Sequence, residues 1–231
     1  MSRGVQTTLW PGRKYSTGRG SVDHLERYYT PDILARFCLN LLPWQMGARV
    51  LEPHAGGGAF LRGMGSISEI ATLDALDLDP KCWAHTTWHS KTSLRFPNDR
   101  TPGPYSVRPM IPLHGRLSKM GMIESRFDRA DFLSVDLEGR VYDRVVGNPP
   151  FSNAEDHVAR ALQVADECCF LLPVSRLDAG ERVSFYREIP LRKVWNLGER
   201  VWPGSRQIGF FWFDKTWKKP WWQTEVMSWK P

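Results

Sequence analysis

Nowhere in its 231 residues does the chain run for the ~20 apolar residues that a membrane helix needs. Its start, Met1-Ser2-Arg3-Gly4, has no apolar stretch of the kind that directs secretion. Cysteine is scarce: Cys38, Cys82, Cys168 and Cys169 show no paired spacing, and adjacent cysteines such as the last two rarely bridge each other. A reduced protein of the cytoplasm is the expectation, without a disulfide framework. No serine or cysteine stands with a histidine partner as an activated nucleophile. Cys82, His85 and His89 have ligand-like spacing, with His114 later, but a full four-ligand set is missing and no metal is expected. No period suggests internal repeats.

What is present is charge, unevenly placed. The net charge is +6, yet residues 1–20 carry +4, residues 85–126 carry +5 and residues 215–231 carry +3, leaving −6 for the remainder. An acidic core with basic appendages suits a small-molecule domain that meets a polyanion. Residues 1–27 form a basic arm rich in Gly, Ser and Thr, residues 28–214 the main domain, and residues 215–231 a Trp/Lys-rich tail. Trp212, just before the tail, is expected in the core, while Trp217, Trp221, Trp222 and Trp229 are expected to cover a sheet edge or fray. Five prolines between Pro97 and Pro112 make the insertion 85–126 a loop, and its Trp88, Phe96 and Tyr105 among basic residues suit nucleic-acid backbones and unstacked bases.

The main domain alternates strands and helices. Thr30 is expected to cap a helix with Pro31 at its first position, continued by Ile33, Leu34, Phe37, Cys38 and Leu41 and stopped by Pro43. Ala48–Leu51 reads as a buried strand that enters the turn Glu52-Pro53-His54-Ala55-Gly56-Gly57-Gly58, with a helix from about Ala59. Such turns let backbone approach a ligand closely. An acid at the mouth of the turn would repel phosphate, so Glu52 favours a cationic cofactor. Asp77, at the end of the next strand, lies 19 residues after Gly58, near the spacing of an acid that binds ribose hydroxyls. Asp131-Phe132 pairs a carboxylate with an aromatic, able to accept an adenine amino group and pack its ring. After it, helical spacing runs from Ala154 to Cys168, followed by a strand at Cys169–Pro173, a short helix near Glu181–Arg187, and a closing hairpin of Lys193–Leu197 and Ile208–Phe213.

Asn148-Pro149-Pro150-Phe151 follows a short strand, Asp143–Gly147, where open α/β sheets bind ligands. The Asn148 side-chain oxygen and the Pro149 carbonyl can each accept one N–H of a planar amino group. That draws its nitrogen toward a nucleophilic, tetrahedral form. The two prolines fix the carbonyl direction. Phe151 offers a face to a base withdrawn from its stack.

Taken in order, Tyr29-Thr30-Pro31, Val50-Leu51-Glu52-Pro53 with Gly56 and Gly58, Phe60-Leu61-Arg62, Asp77-Leu78-Asp79-Pro80, Asp131-Phe132 and Asn148–Phe151 resemble the γ-type adenine-N6 DNA methyltransferases of bacteria and phages. The resemblance covers about half the chain. It implies a Rossmann-like α/β fold, a seven-stranded mostly parallel sheet with a C-terminal hairpin, and S-adenosylmethionine as cofactor. It implies that Thr30, Pro53 and the Gly56–Gly58 turn hold the methionine part, with Glu52 near its ammonium. Asp77 would take the ribose, Asp131 and Phe132 the adenine. Asn148, Pro149, Pro150 and Phe151 would receive a flipped target adenine, and Trp202 would close its other face. DNA is the expected partner ahead of RNA, in the cytoplasm of a bacterium or of a phage host. The alternatives are RNA methylation at an adenine or guanine amino group, protein glutamine methylation, and an inactive nucleic-acid-binding subunit. Only 80 residues follow Phe151, too few for the large recognition domain usual in the family. Recognition is therefore expected to fall to the insertion or to a partner subunit, with site-specific or low-specificity methylation both open. His54, where the family usually has a smaller residue, is expected either near the cofactor or facing solvent, and not as a catalytic base.

Overall fold

The computed structural model describes residues 29–79, 124–137, 139–177, 180–197, 207–218 and 224–226. Helix α1 (Asp32–Asn40) buries Leu34, Ala35, Cys38 and Leu39; of the expected apolar stripe Leu34 and Cys38 are buried, Phe37 and Leu41 pack partly buried against the core, and Ile33 is exposed instead. Its N-cap is Pro31 rather than Thr30. Pro31 is extended, and its carbonyl takes the first helical bond, from the Ala35 N–H at 3.0 Å. Strand β1 (Ala48–Glu52) leads through the glycine turn into α2 (Ala59–Met64), whose side chains are buried except for Arg62. Strands β2 (Ile70–Asp77), β3 (Glu124–Arg129) and β4 (Tyr142–Gly147) follow. Then come α3 (Ala154–Val164), β5 (Ala165–Pro173), a 3-10 turn (Val174–Arg176) and α4 (Gly180–Glu188). The chain ends in β6 (Leu191–Asn196), β7 (Ile208–Asp214) and β8 (Thr224–Val226).

The helical spacing that runs on to Cys168 is overridden from Ala165, because Ala165, Glu167 and Cys168 are drawn into the ladder opposite Tyr142, Arg144 and Val145. The strand order is β3-β2-β1-β4-β5-β7-β6-β8. All neighbours are parallel except β7, antiparallel to β5 and β6, so β6 and β7 form the expected hairpin. The seven-stranded frame thus matches the sequence expectation. The short β8, which continues the sheet beside β6, gave no periodic signal within the Trp/Lys tail.

Alternate residues face opposite sides. Val50, Val146 and Cys169 join α1 and α2 on one face, together with Trp195 and Trp212, which places Trp212 in the core as expected. Leu51, Val145 and Cys168 join α3, Phe185 and Tyr186 on the other. The chain passes outward from β1 to β2 and β3 and then returns to β4 on the other side of β1. That reversal opens a crevice beyond the carboxyl ends of β1 and β4, the usual ligand position in such sheets.

Candidate active site

A cleft of about 300 Å³ occupies this switch point. The glycine turn supplies one wall. Gly58 has φ +76 as the N-cap of α2, a left-handed conformation that glycine adopts without strain, and Gly56 has φ +46. Any Cβ on Gly56 or Gly57 would come within 3.4 Å of the Tyr29 ring, which packs directly on the turn. Arg62 fastens the same turn from behind, donating to the Gly57 carbonyl at 2.7 Å and to both carboxylate oxygens of Asp32.

Asp77 closes the turn across the strand ends. Its Oδ2 accepts the Gly56 N–H at 2.6 Å and its Oδ1 the Asp79 N–H at 2.7 Å. Asp131 stands on a turn just past β3, its Oδ1 accepting from Leu133 N–H at 3.0 Å and its Oδ2 from the Ser134 hydroxyl at 3.1 Å. Phe132 lines the cleft but is 2% exposed, its ring packed parallel to His157 and edge-on to His54.

Among the expected cofactor residues, Thr30, Pro53, Gly56, Asp77, Asp131 and Phe132 line the cleft, while Glu52 and Gly58 stand behind its wall. Of the tetrad, Asn148 and Pro150 line it. Pro149 and Phe151 do not: past Pro150 the chain turns, Phe151 packs against the α1/α2 core, and Ser152 and Asn153 take its place at the wall. Trp202, and the Cys82, His85, His89 and His114 group, lie outside the described residues. The described lining residues include no lysine or arginine.

Glu52 is 1% exposed, its Oε1 accepting the His54 N–H at 3.0 Å while Oε2 is buried without a hydrogen bond. Burial raises its pKa well above the ordinary carboxyl value, and Asp77 adds to the rise. Its carboxylate packs against Gly147, where a Cβ would overlap it. Gly147→Ala is therefore expected to cost about 1–3 kcal/mol of stability, the usual range for overpacking. Urea denaturation checks this, and a change under about 0.5 kcal/mol would contradict the contact.

His54 is partly exposed within the cleft and does not face bulk solvent. Its Nε2 lies 2.9 Å from the His157 Nδ1. The rings sit among Phe132 and Phe170. Burial lowers the His54 pKa well below the usual histidine value, with His157 contributing, and pushes His157 down to about 4 against an upward pull from Asp131. Unfolding restores both to about 6.5, so between pH 6.5 and about 4 the unfolded chain binds more protons than the folded one. Stability is intact above pH 6.5 and is lost as pH falls through that window. Glu52, whose pKa is raised, acts in the opposite sense above its ordinary value and offsets part of this loss. Thermal melts at pH 6.5 and 4.5 should show the lower Tm in acid. Equal values would contradict the buried neutral pair.

His157 carried no signal in the sequence, being one polar residue on an amphipathic helix. Tyr29, Leu78, Ser152 and Asn153 also line the cleft. Tyr29 and Leu78 lie inside stretches that carry the resemblance, while Ser152 and Asn153, one and two residues past Phe151, carried no signal of their own.

No protein-family model matches the sequence, and no curated relative matches it. Solved structures do share the fold. A Listeria monocytogenes protein assigned to the class I S-adenosylmethionine-dependent methyltransferases aligns over 90% of this chain and 67% of its own, with 10% identity and a TM-score of 0.60. TrmN from Thermus thermophilus aligns over 80% of this chain and 48% of its own, with 20% identity and a TM-score of 0.52. The 23S rRNA methyltransferase ErmE aligns over 84% and 71%, with 14% identity and a TM-score of 0.50. The chain thus spans about two thirds of the Listeria protein and half of TrmN. It has the Rossmann-like fold of the class I methyltransferases.

Proposed function

We propose that this chain transfers a methyl group from S-adenosylmethionine to the exocyclic N6 amino group of adenine in DNA. The observation that carries the reading is the meeting at one switch-point cleft of the glycine turn, Asp77, Asp131 and Asn148, positions spread over 93 residues of sequence. The solved structures of the same fold include methyltransferases whose cofactor is S-adenosylmethionine, in agreement with this assignment.

The lining fits that cofactor. Asp77, Asp79 and Asp131 stand at the cleft with no described cation among them, which disfavours phosphate-bearing cofactors and favours a cationic one. Asn153 Oδ1, at the cleft wall, is a buried acceptor without a hydrogen bond, and it suits a ligand that presents an N–H donor. S-adenosylmethionine, bound here, supplies an electrophilic methyl group on a sulfonium. The glycine turn and Tyr29 would hold its methionine end, Asp77 its ribose and Asp131 its adenine. Asn148 Oδ1 would accept an N–H bond of the target amine, raising its nucleophilicity and dispersing the charge that develops on it. The residues of this chain would hold the amine toward the sulfonium methyl, and the product nitrogen would release its proton to water. No covalent intermediate on the protein is required, and catalysis rests on positioning and electrostatics.

RNA is the second substrate considered. ErmE, of the same fold, is an rRNA methyltransferase, and RNA is often selected by shape.

The test is labelled S-adenosylmethionine offered with double-stranded DNA, single-stranded DNA, RNA and ribosomal protein in parallel, with the modified residue identified by mass. N6-methyladenine in DNA is the expected product. Label confined to RNA or protein would keep the chemistry and move the substrate. No label in any arm would overturn the reading.

A further inference from the structure

The hydrogen bond between His54 and His157 spans 103 residues of sequence and joins the two halves of the cleft. His54 lies in the glycine turn. His157 stands in the opening turns of α3, six residues after Phe151. Between them, at 2.9 Å, lies one proton, so the bond is complete with both rings neutral. Phe132 and Phe170 surround the pair and offer no alternative hydrogen-bond partner. The far side of α3 is also fixed: Glu155 accepts from the Arg176 guanidinium at 2.6 Å and from the Tyr186 hydroxyl at 3.2 Å, all three groups buried. Residues 148–153 therefore bridge two fixed points. One is Gly147, packed on Glu52. The other is the start of α3, held by His54. Both points lead back to Glu52–His54, the entrance to the glycine turn.

We propose that the His54–His157 hydrogen bond is the joint through which the glycine turn sets the position of the base-receiving loop, with His157 a positioning residue. The inference rests on the methyltransferase reading above. It requires that occupation of the turn and binding of the target base be coupled, each raising the affinity of the other by the same factor. A leucine at 157 keeps bulk and removes the bond. An asparagine places an amide near the position of Nδ1 and can keep it.

Native protein, His157→Leu, His157→Asn and His54→Leu are compared, with S-adenosylhomocysteine as the probe for the turn and an adenine-containing oligonucleotide for the loop. In the native protein S-adenosylhomocysteine should tighten oligonucleotide binding. In H157L that factor should fall toward one and kcat should drop about 10²-fold, the scale of a misplaced reacting group, with the KM for S-adenosylmethionine little changed. H157N should recover most of both, and H54L should behave like H157L. Coupling and kcat both retained in a folded H157L would overturn the inference, and so would an H157N as impaired as H157L. Should the leucine variants not fold, imidazole ¹⁵N resonances of the native pair decide: they should shift when S-adenosylhomocysteine is added, and unchanged resonances would overturn it. Native protein that neither binds S-adenosylhomocysteine nor transfers methyl would bring down the reading of the site and the inference together. Normal native transfer with an unaffected H157L would bring down the inference alone.

Discussion

Replacing Asn148 by alanine is expected to slow methyl transfer by about 10²–10³-fold, the usual consequence of removing one preorganised polar group from a transition state. Asn148 lines the cleft immediately beyond β4, and Gly147 behind it is pinned against Glu52. Its side-chain oxygen is the acceptor proposed for the target amine. The alanine variant keeps the glycine turn and Asp77, so affinity for S-adenosylmethionine should stay within about twofold of native. Single-turnover rates with labelled cofactor, read beside equilibrium binding, separate the two effects. A variant that transfers methyl at the native rate would remove Asn148 from the chemistry.

Arg176→Met should cost about 3–5 kcal/mol of folding stability, because it strands a buried carboxylate. Glu155 is 2% exposed and Arg176 5%, and Arg176 donates to both carboxylate oxygens. In the variant Glu155 would keep only the Tyr186 hydroxyl at 3.2 Å and the half-buried Arg182 at 3.8 Å. The pair locks α3 to the turn after β5, so melting should accompany loss of order at the base-receiving loop. The double replacement Glu155→Leu, Arg176→Met removes both charges and should regain much of the loss, since an apolar pair avoids the desolvation cost. Urea denaturation of the two single variants and the double variant closes the cycle. A loss below about 1 kcal/mol in Arg176→Met would show that the pair does little to hold this region.

Much of the site was legible because each motif is local. A strand, an acid and a run of glycines predict a turn, and Glu52 through Gly58 form one at the end of β1. Asp77 and Asn148 sit at strand ends for the same reason. What could not be read depends on partners distant in sequence. The His54–His157 bond and the Glu155–Arg176 pair join residues on separate elements, and nothing in helical periodicity marks them. Glu52 illustrates the limit from the other direction. Its residue type was read correctly as an acid at the turn, but its burial behind the wall, against Gly147, follows only from the packing of β1 on β4. The boundary between α3 and β5 shifted for a similar reason: Ala165–Cys168 has reasonable helix formers, and pairing with β4 outweighs their preference.

The central claim is that the switch-point cleft is built for a cationic nucleoside cofactor, and calorimetric titration tests it most directly. S-adenosylmethionine, S-adenosylhomocysteine and ATP are titrated in turn into the native protein and into Asp77→Ala. The account predicts one saturable site for each of the first two ligands, negligible binding of ATP, and at least a tenfold loss of affinity in Asp77→Ala, where both the proposed ribose contact and the anchor of Gly56 are gone. Tight binding of ATP with none of S-adenosylmethionine, or S-adenosylmethionine affinity unchanged in Asp77→Ala, would contradict it.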